Sequence, residues 1–338
     1  MKKSIILVVL VSLSIYILSL PILAGDLSEG YYAFIPNADD GTISVFDSDE
    51  NKVVRTIKVG KKVAHGIAIT PDGDSLYTGV MNSDELIVLN PLTGEKMTTI
   101  EVTKPLHGID MSSDGKYLVI GQVPKVIDTE KNEIVAKFDL PGNLAKLAHL
   151  RFSSDGKKVY MGARPDGNGG FNNPETSVIV GNMSNFSVEA SWPLRAAYTS
   201  ASSNNGKYIY TVNYLSDFAT LAVLDASNGV LLKQKLTGIN AHGLAVAPDD
   251  RYIWVASRGA KGKGGGIFIF DADNNWEQVK KVDLPLANHV AFSPDGEKVF
   301  VTDRGGNLTI FDASSFYQLR KIKLGKDPHE ISFLSKNK

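Results

Sequence analysis

Apolar and polar residues alternate at period two along most of this chain, in short runs rich in Val, Ile, Tyr and Phe. Lys52-Val-Val-Arg-Thr-Ile57, Leu221-Ala-Val-Leu-Asp225 and Lys298-Val-Phe-Val-Thr302 are examples. Period-two alternation in β-branched and aromatic residues predicts half-buried strands. No comparable 3.6-residue pattern is sustained beyond the N-terminus, so an all-β chain is expected.

The strands fall into a repeat. The phrase His65-Gly-Ile-Ala-Ile-Thr-Pro-Asp-Gly73 returns as His107-Gly-Ile-Asp-Met-Ser-Ser-Asp-Gly115 and as Leu150-Arg-Phe-Ser-Ser-Asp-Gly156. It returns again as Thr199-Ser-Ala-Ser-Ser-Asn-Asn-Gly206, His242-Gly-Leu-Ala-Val-Ala-Pro-Asp249 and Val290-Ala-Phe-Ser-Pro-Asp-Gly296. The turn residues Asp72, Asp114, Asp155, Asn205, Asp249 and Asp295 stand 41 to 50 residues apart. Four short strands per repeat of that length are the mark of a propeller blade. Asp-Gly at the turn supplies the positive φ that tight hairpins need.

The ends of the pattern imply how the ring closes. Tyr31-Tyr-Ala-Phe-Ile-Pro36 is a second-strand phrase without a first strand before it. His329-Glu-Ile-Ser-Phe333 is a first-strand phrase with no second strand after it. Six complete repeats and these two pieces make seven four-stranded antiparallel blades. The C-terminal strand is expected to complete the N-terminal blade, which removes free sheet edges. Residues 30–335 then form a single propeller domain.

Ahead of it, Lys2 and Lys3 precede an apolar run from Ile5 to Leu23 and then Ala24-Gly25-Asp26. Residues 1–24 read as a secretory signal peptide. The length of the run makes an uncleaved membrane anchor the alternative. The propeller is expected to be exported, periplasmic or extracellular, and to meet a membrane through that segment alone.

Composition narrows the function. Of 338 residues, 36 are Lys or Arg and 37 Asp or Glu, so no global field attracts nucleic acid or an anionic membrane. Cysteine is absent, which excludes disulfides, thiolate metal ligation and covalent c-type haem.

Tyr210-Thr-Val-Asn213, Phe34-Ile-Pro-Asn37 and Phe300-Val-Thr-Asp303, with the His-Gly phrases before the turns, resemble the YVTN family of β-propellers. The resemblance covers residues 30 to 335. It implies the propeller fold. The family includes surface-layer modules, periplasmic binding proteins, lactonase-like enzymes and haem d1 domains, so the resemblance leaves function open.

All six histidines fall at first-strand entrances. His65, His107, His242 and His329 share one position, filled by Ala148, Tyr198 and Asn288 in the other repeats. His149 and His289 stand one residue later, so strand alternation starts their side chains on the other sheet face. Arg164, Arg258 and Arg304 each follow the end of a second strand, in loops that open on the same side of the ring. Two of these loops, around residues 162–170 and 258–266, are long and glycine-rich. His65, His107, Tyr198, His242, His329, Arg164, Arg258 and Arg304 are therefore the candidate ligand-binding residues at one channel mouth.

Imidazoles ligate metals or haem iron, and guanidinium groups clamp carboxylates. The leading expectation is binding of a small anionic ligand, a cofactor or a periplasmic or surface protein partner. The alternatives are a haem d1-like tetrapyrrole, a copper centre on His65, His107, His242 and His329, or a scaffold in which the histidines are structural. No nucleophile elbow is recognisable, which weighs against a hydrolase.

Overall fold

The computed structural model describes residues 30–336 except 82, 103–105, 122, 166–174 and 262. The expected leader over residues 1–24 and the loop stretch after Pro165 lie outside the described residues. Within them the chain forms strands β1 to β28, numbered in chain order, and one 3-10 turn at Ala272–Asn274. The strands make seven four-stranded antiparallel sheets. The innermost strands are β4 (Val63–Ile69), β8 (Ile109–Met111), β12 (Leu144–Phe152), β16 (Ala197–Ser202), β20 (Ala241–Val246), β24 (Ala287–Phe292) and β28 (Ser332–Ser335).

The closing sheet runs in the order β28, β1 (Tyr31–Asn37), β2 (Thr42–Asp47), β3 (Lys52–Lys58). The regular part of the C-terminal strand begins later than His329. Phe333 pairs with Ala33 and Ser335 with Tyr31. A single bridge between Asn37 and Pro328, and the His329 N–H donated to Pro36 O at 3.0 Å, carry the contact back to the expected start.

The recurrent Ser-x-Asp/Asn-Gly phrase has a local reason. Ser153 Oγ accepts the Lys158 N–H at 2.9 Å and donates to Asp155 Oδ1 at 2.7 Å. Asp155 Oδ1 also accepts the Lys157 N–H, and Gly156 takes φ +68°. The same wiring holds at Ser112/Asp114, Ser203/Asn205 and Ser293/Asp295. These short side chains satisfy turn amides that would otherwise need water.

Every blade has a register shift between its third and outermost strands, as at Val45/Phe46 and Ile310/Phe311. An extra residue there bends the strand and increases its twist. Seven apolar clusters then fill the seven gaps between neighbouring blades. In the closing gap Tyr31 meets Phe300 and Phe333 edge-on, at centroid distances of 6.0 and 5.6 Å.

The inner strands carry their own irregularity. Register shifts occur at Val63/Ile67, Leu147/Leu150, Ala197/Thr199, Ala241/Gly243 and Ala287/Val290. Each brackets the His-Gly phrase or its equivalent. Glycine there permits close approach of neighbouring blades. A Cβ on Gly66 would lie 2.6 Å from Ile109 N, and one on Gly243 would lie 2.6 Å from Asn288 O.

Truncation after Leu324 removes β28, the Phe333 ring and the ion pairs of Lys336 with Asp47 and Asp49. We expect this variant to melt on the order of 10 °C below the full chain, as several kcal/mol of lost packing implies for a domain of this size. Differential scanning calorimetry checks it, and an unchanged Tm contradicts the closure.

Candidate functional site

Aligned on the turns, the inner strands present two successive positions to the hub. The first holds His65, His107, Ala148, Tyr198, His242, Asn288 and His329, and the second Gly66, Gly108, His149, Thr199, Gly243, His289 and Glu330. The structure brings all six imidazoles into one contiguous group. His65 stacks on His329 with ring centroids 3.6 Å apart and planes 5° apart. His107 lies 4.8 Å from His65 and 4.7 Å from His149. His149 is 5.1 Å from His242 and 5.0 Å from His289, and those two are 4.7 Å apart.

This corrects the expectation that His149 and His289 would be set apart on the other sheet face. Both fall inside the inner-strand register shifts, where two-residue alternation is broken. Their rings therefore join the first-position histidines.

The polar contacts of the group are incomplete. His107 Nδ1 donates to Ala148 O at 3.1 Å, and its Nε2 faces His65 Nδ1 at 3.2 Å. His149 Nδ1 donates to Glu330 Oε1 at 2.9 Å, and that oxygen also accepts from Arg151 Nη2 at 3.2 Å. His242 Nε2 pairs with the Tyr198 hydroxyl at 3.2 Å. His149 Nε2, His242 Nδ1, His289 Nε2 and His329 Nδ1 are buried with no hydrogen-bond partner among the described residues. Each unsatisfied buried polar group costs about 1–3 kcal/mol. Such a cluster would gain from any group that satisfies these nitrogens.

Burial holds all six imidazoles uncharged. Desolvation is the main cause that lowers their pKa values, to about 3 for His107, with neighbouring imidazoles and Arg258 adding to it.

The arginines differ in what they meet. Arg304, just after β25 (Lys298–Asp303), bonds Asp327 at 2.8 Å, and Asp327 lies 3.4 Å from His329 Nε2. Arg164, at the end of β13 (Lys158–Pro165), is close enough to lower the pKa of His107 and donates to Pro165 O at 3.3 Å. Arg258, just after β21 (Tyr252–Ser257), gives Nε and Nη2 to Asn288 Oδ1 at 2.9 and 2.6 Å. Its guanidinium is 6.0 Å from the Tyr214 ring, and among the described residues it has no carboxylate partner. Asn288 is fixed in turn by donating to Pro328 O at 2.8 Å.

The other end of the channel was not legible as a site. A cavity of about 540 Å³ is lined by Pro71, Ser113, Ser154 and Asn204 beside the Asp/Asn-Gly turns, by Asp110, Arg151 and Glu330, and by His289. Burial raises Asp110 to about 6 and pushes Glu330 upward, while Arg151 opposes both shifts. The repeat did hold the signal. Glu330 stands where three repeats have Gly, and Asp110 and Arg151 stand where the others have Ala or Ser.

The buried imidazoles set the acid stability. Each is depressed in the folded state and titrates near 6.5 when unfolded, so its contribution is present above 6.5 and is lost as pH falls. Asp110 and Glu330 have the opposite sign, because a carboxyl group raised in the folded state, to about 6 for Asp110, favours that state as pH falls. Six imidazoles against two carboxyl groups leave a net uptake of about four protons on unfolding as pH falls below 6. We expect a steep fall of Tm over that window with EDTA present to keep metals off the imidazoles. Calorimetry across pH gives the proton number, and a net uptake of one or two contradicts buried, neutral histidines.

No protein-family model matches the chain. Among solved structures it is similar to Kuenenia stuttgartiensis hydrazine synthase, with a TM-score of 0.65 and 16% identity over 78% of this chain and 87% of that one. It is also similar to dihydro-heme d1 dehydrogenase NirN in complex with DHE, with a TM-score of 0.64 and 15% identity over 89% of this chain and 74% of that one. At these identities the likeness establishes a shared seven-bladed propeller fold.

Proposed function

We propose that this chain is an exported, YVTN-type propeller that binds a small anionic molecule, a carboxylate or an oxyanion, at its His/Arg mouth. Arg258 carries this reading. Arg151 and Arg304 each have a carboxylate partner, Glu330 and Asp327. Arg258 is half-buried, oriented by Asn288, adds its charge to that felt by all six imidazoles, and has no carboxylate partner among the described residues. A partly desolvated cation of this kind is costly alone and gains most from a bidentate anionic partner. The basic, apolar N-terminal segment supports export.

A tetrapyrrole is the second reading, favoured by the fold shared with a protein captured in complex with DHE. Its carboxylates suit Arg258. Four rings of the cluster are buried, and of the other two His107 has both nitrogens engaged. His65 is therefore the candidate axial ligand.

Titration calorimetry with oxalate, citrate and sulfate, on wild type and Arg258→Met, tests the anion site. Loss of a charge-assisted bidentate contact is expected to weaken the best of these about 10- to 100-fold. Equal affinities for the two proteins would remove the site from Arg258. A Soret band in protein purified from its native host would select the tetrapyrrole.

A further inference from the structure

Three of the four buried histidines form a group of their own. His149, His242 and His289 come from β12, β20 and β24, and each offers one ring nitrogen within 4.8 Å of the other two. All three are buried. Each has one ring nitrogen with no partner among the described residues, namely His149 Nε2, His242 Nδ1 and His289 Nε2.

We infer that His149, His242 and His289 form a three-imidazole site for a divalent first-row transition metal, of the zinc or copper class. Imidazole suits these ions, and three histidines with one open position are a known way of holding them. Tetrahedral metal–nitrogen bonds of about 2.0–2.1 Å place ligand nitrogens about 3.3 Å apart, so the rings close inward on loading.

The surroundings have the form of an outer shell. A ligating histidine usually gives its other N–H to a carboxylate or another acceptor, which fixes tautomer and orientation. His149 does so to Glu330, and Arg151 holds Glu330 from the other side. His242 has the Tyr198 hydroxyl at its second nitrogen. His289 also lines the cavity that opens on the turn face, which supplies a route for the ion and leaves the open position next to Asp110 and Glu330.

A rival grouping, His65, Asp327 and His329, is weaker. His65 and His329 lie face to face, which turns their in-plane lone pairs along parallel planes rather than toward one point. Asp327 is already bonded to Arg304.

Cobalt(II) titration of the EDTA-treated full chain tests the inference, since low-symmetry nitrogen ligation gives visible d–d bands. Wild type is expected to take up one equivalent, displaced by one equivalent of zinc. His242→Ala and His289→Ala should each weaken binding at least 100-fold. Glu330→Gln should weaken it roughly 10- to 100-fold. Asp327→Asn should stay within threefold of wild type. No uptake by wild type overturns the inference, as does a loss in Asp327→Asn that His289→Ala lacks. Should the alanine variants fail to fold, X-ray absorption of the zinc-loaded wild type counts its imidazoles. Three support the site, and one or none overturns it.

Discussion

Seven inner strands can surround one axis only where their backbones come close, and the glycines of the His-Gly phrases meet that steric demand. A methyl group on Gly66 or Gly243 would collide with the backbone of the next blade. His65 and His242, which precede two of these glycines, are carried on a bulged stretch of strand that no longer alternates. The hub owes its crowding to this constraint. The blades themselves are held by apolar layers in the gaps between them, at a distance from the axis. The axis is therefore free to be polar, and it is filled with imidazoles.

That division assigns stability and chemistry to different parts of the molecule. Residues such as Phe34, Trp254 and Phe300 bury their rings in the apolar layers between blades. The hub contributes little of the hydrophobic term and carries several unmet hydrogen-bonding groups. Its charged residues are distributed with sign. Arg258 lies on the loop side without a carboxylate. Asp110, Arg151 and Glu330 lie on the turn side, two acids against one base. An anion and a cation would thus find their favourable surroundings at opposite ends of the same short channel.

Much of the architecture could be read from period-two alternation and the spacing of the turn phrase. Both are local signals repeated many times, so an error in one blade is outvoted by the rest. The clustering of His65, His107, His242 and His329 followed from the same alignment. What escaped was the place of His149 and His289, because alternation fails inside a bulge and a bulge leaves no mark in hydrophobic pattern. Glu330, Asp110 and Arg151 escaped for another reason. Each is an ordinary charged residue along its own strand. It becomes unusual only when compared with the same position in the other blades, and its partners lie far away in sequence. The contact between His149 and Glu330 spans 181 residues.

The closing strand also orders events in time. β28 latches the ring, and the segment that leads into it supplies His329, Glu330 and Asp327 to the hub. Six blades can emerge, fold and stack as they are made, while the centre of the ring still lacks an acid for His149 and a stacking partner for His65. The latch and the final polar residues arrive together. A chain that stops short of them has neither a closed ring nor a finished centre, so mechanical closure and the polar completion of the hub are acquired in the same step.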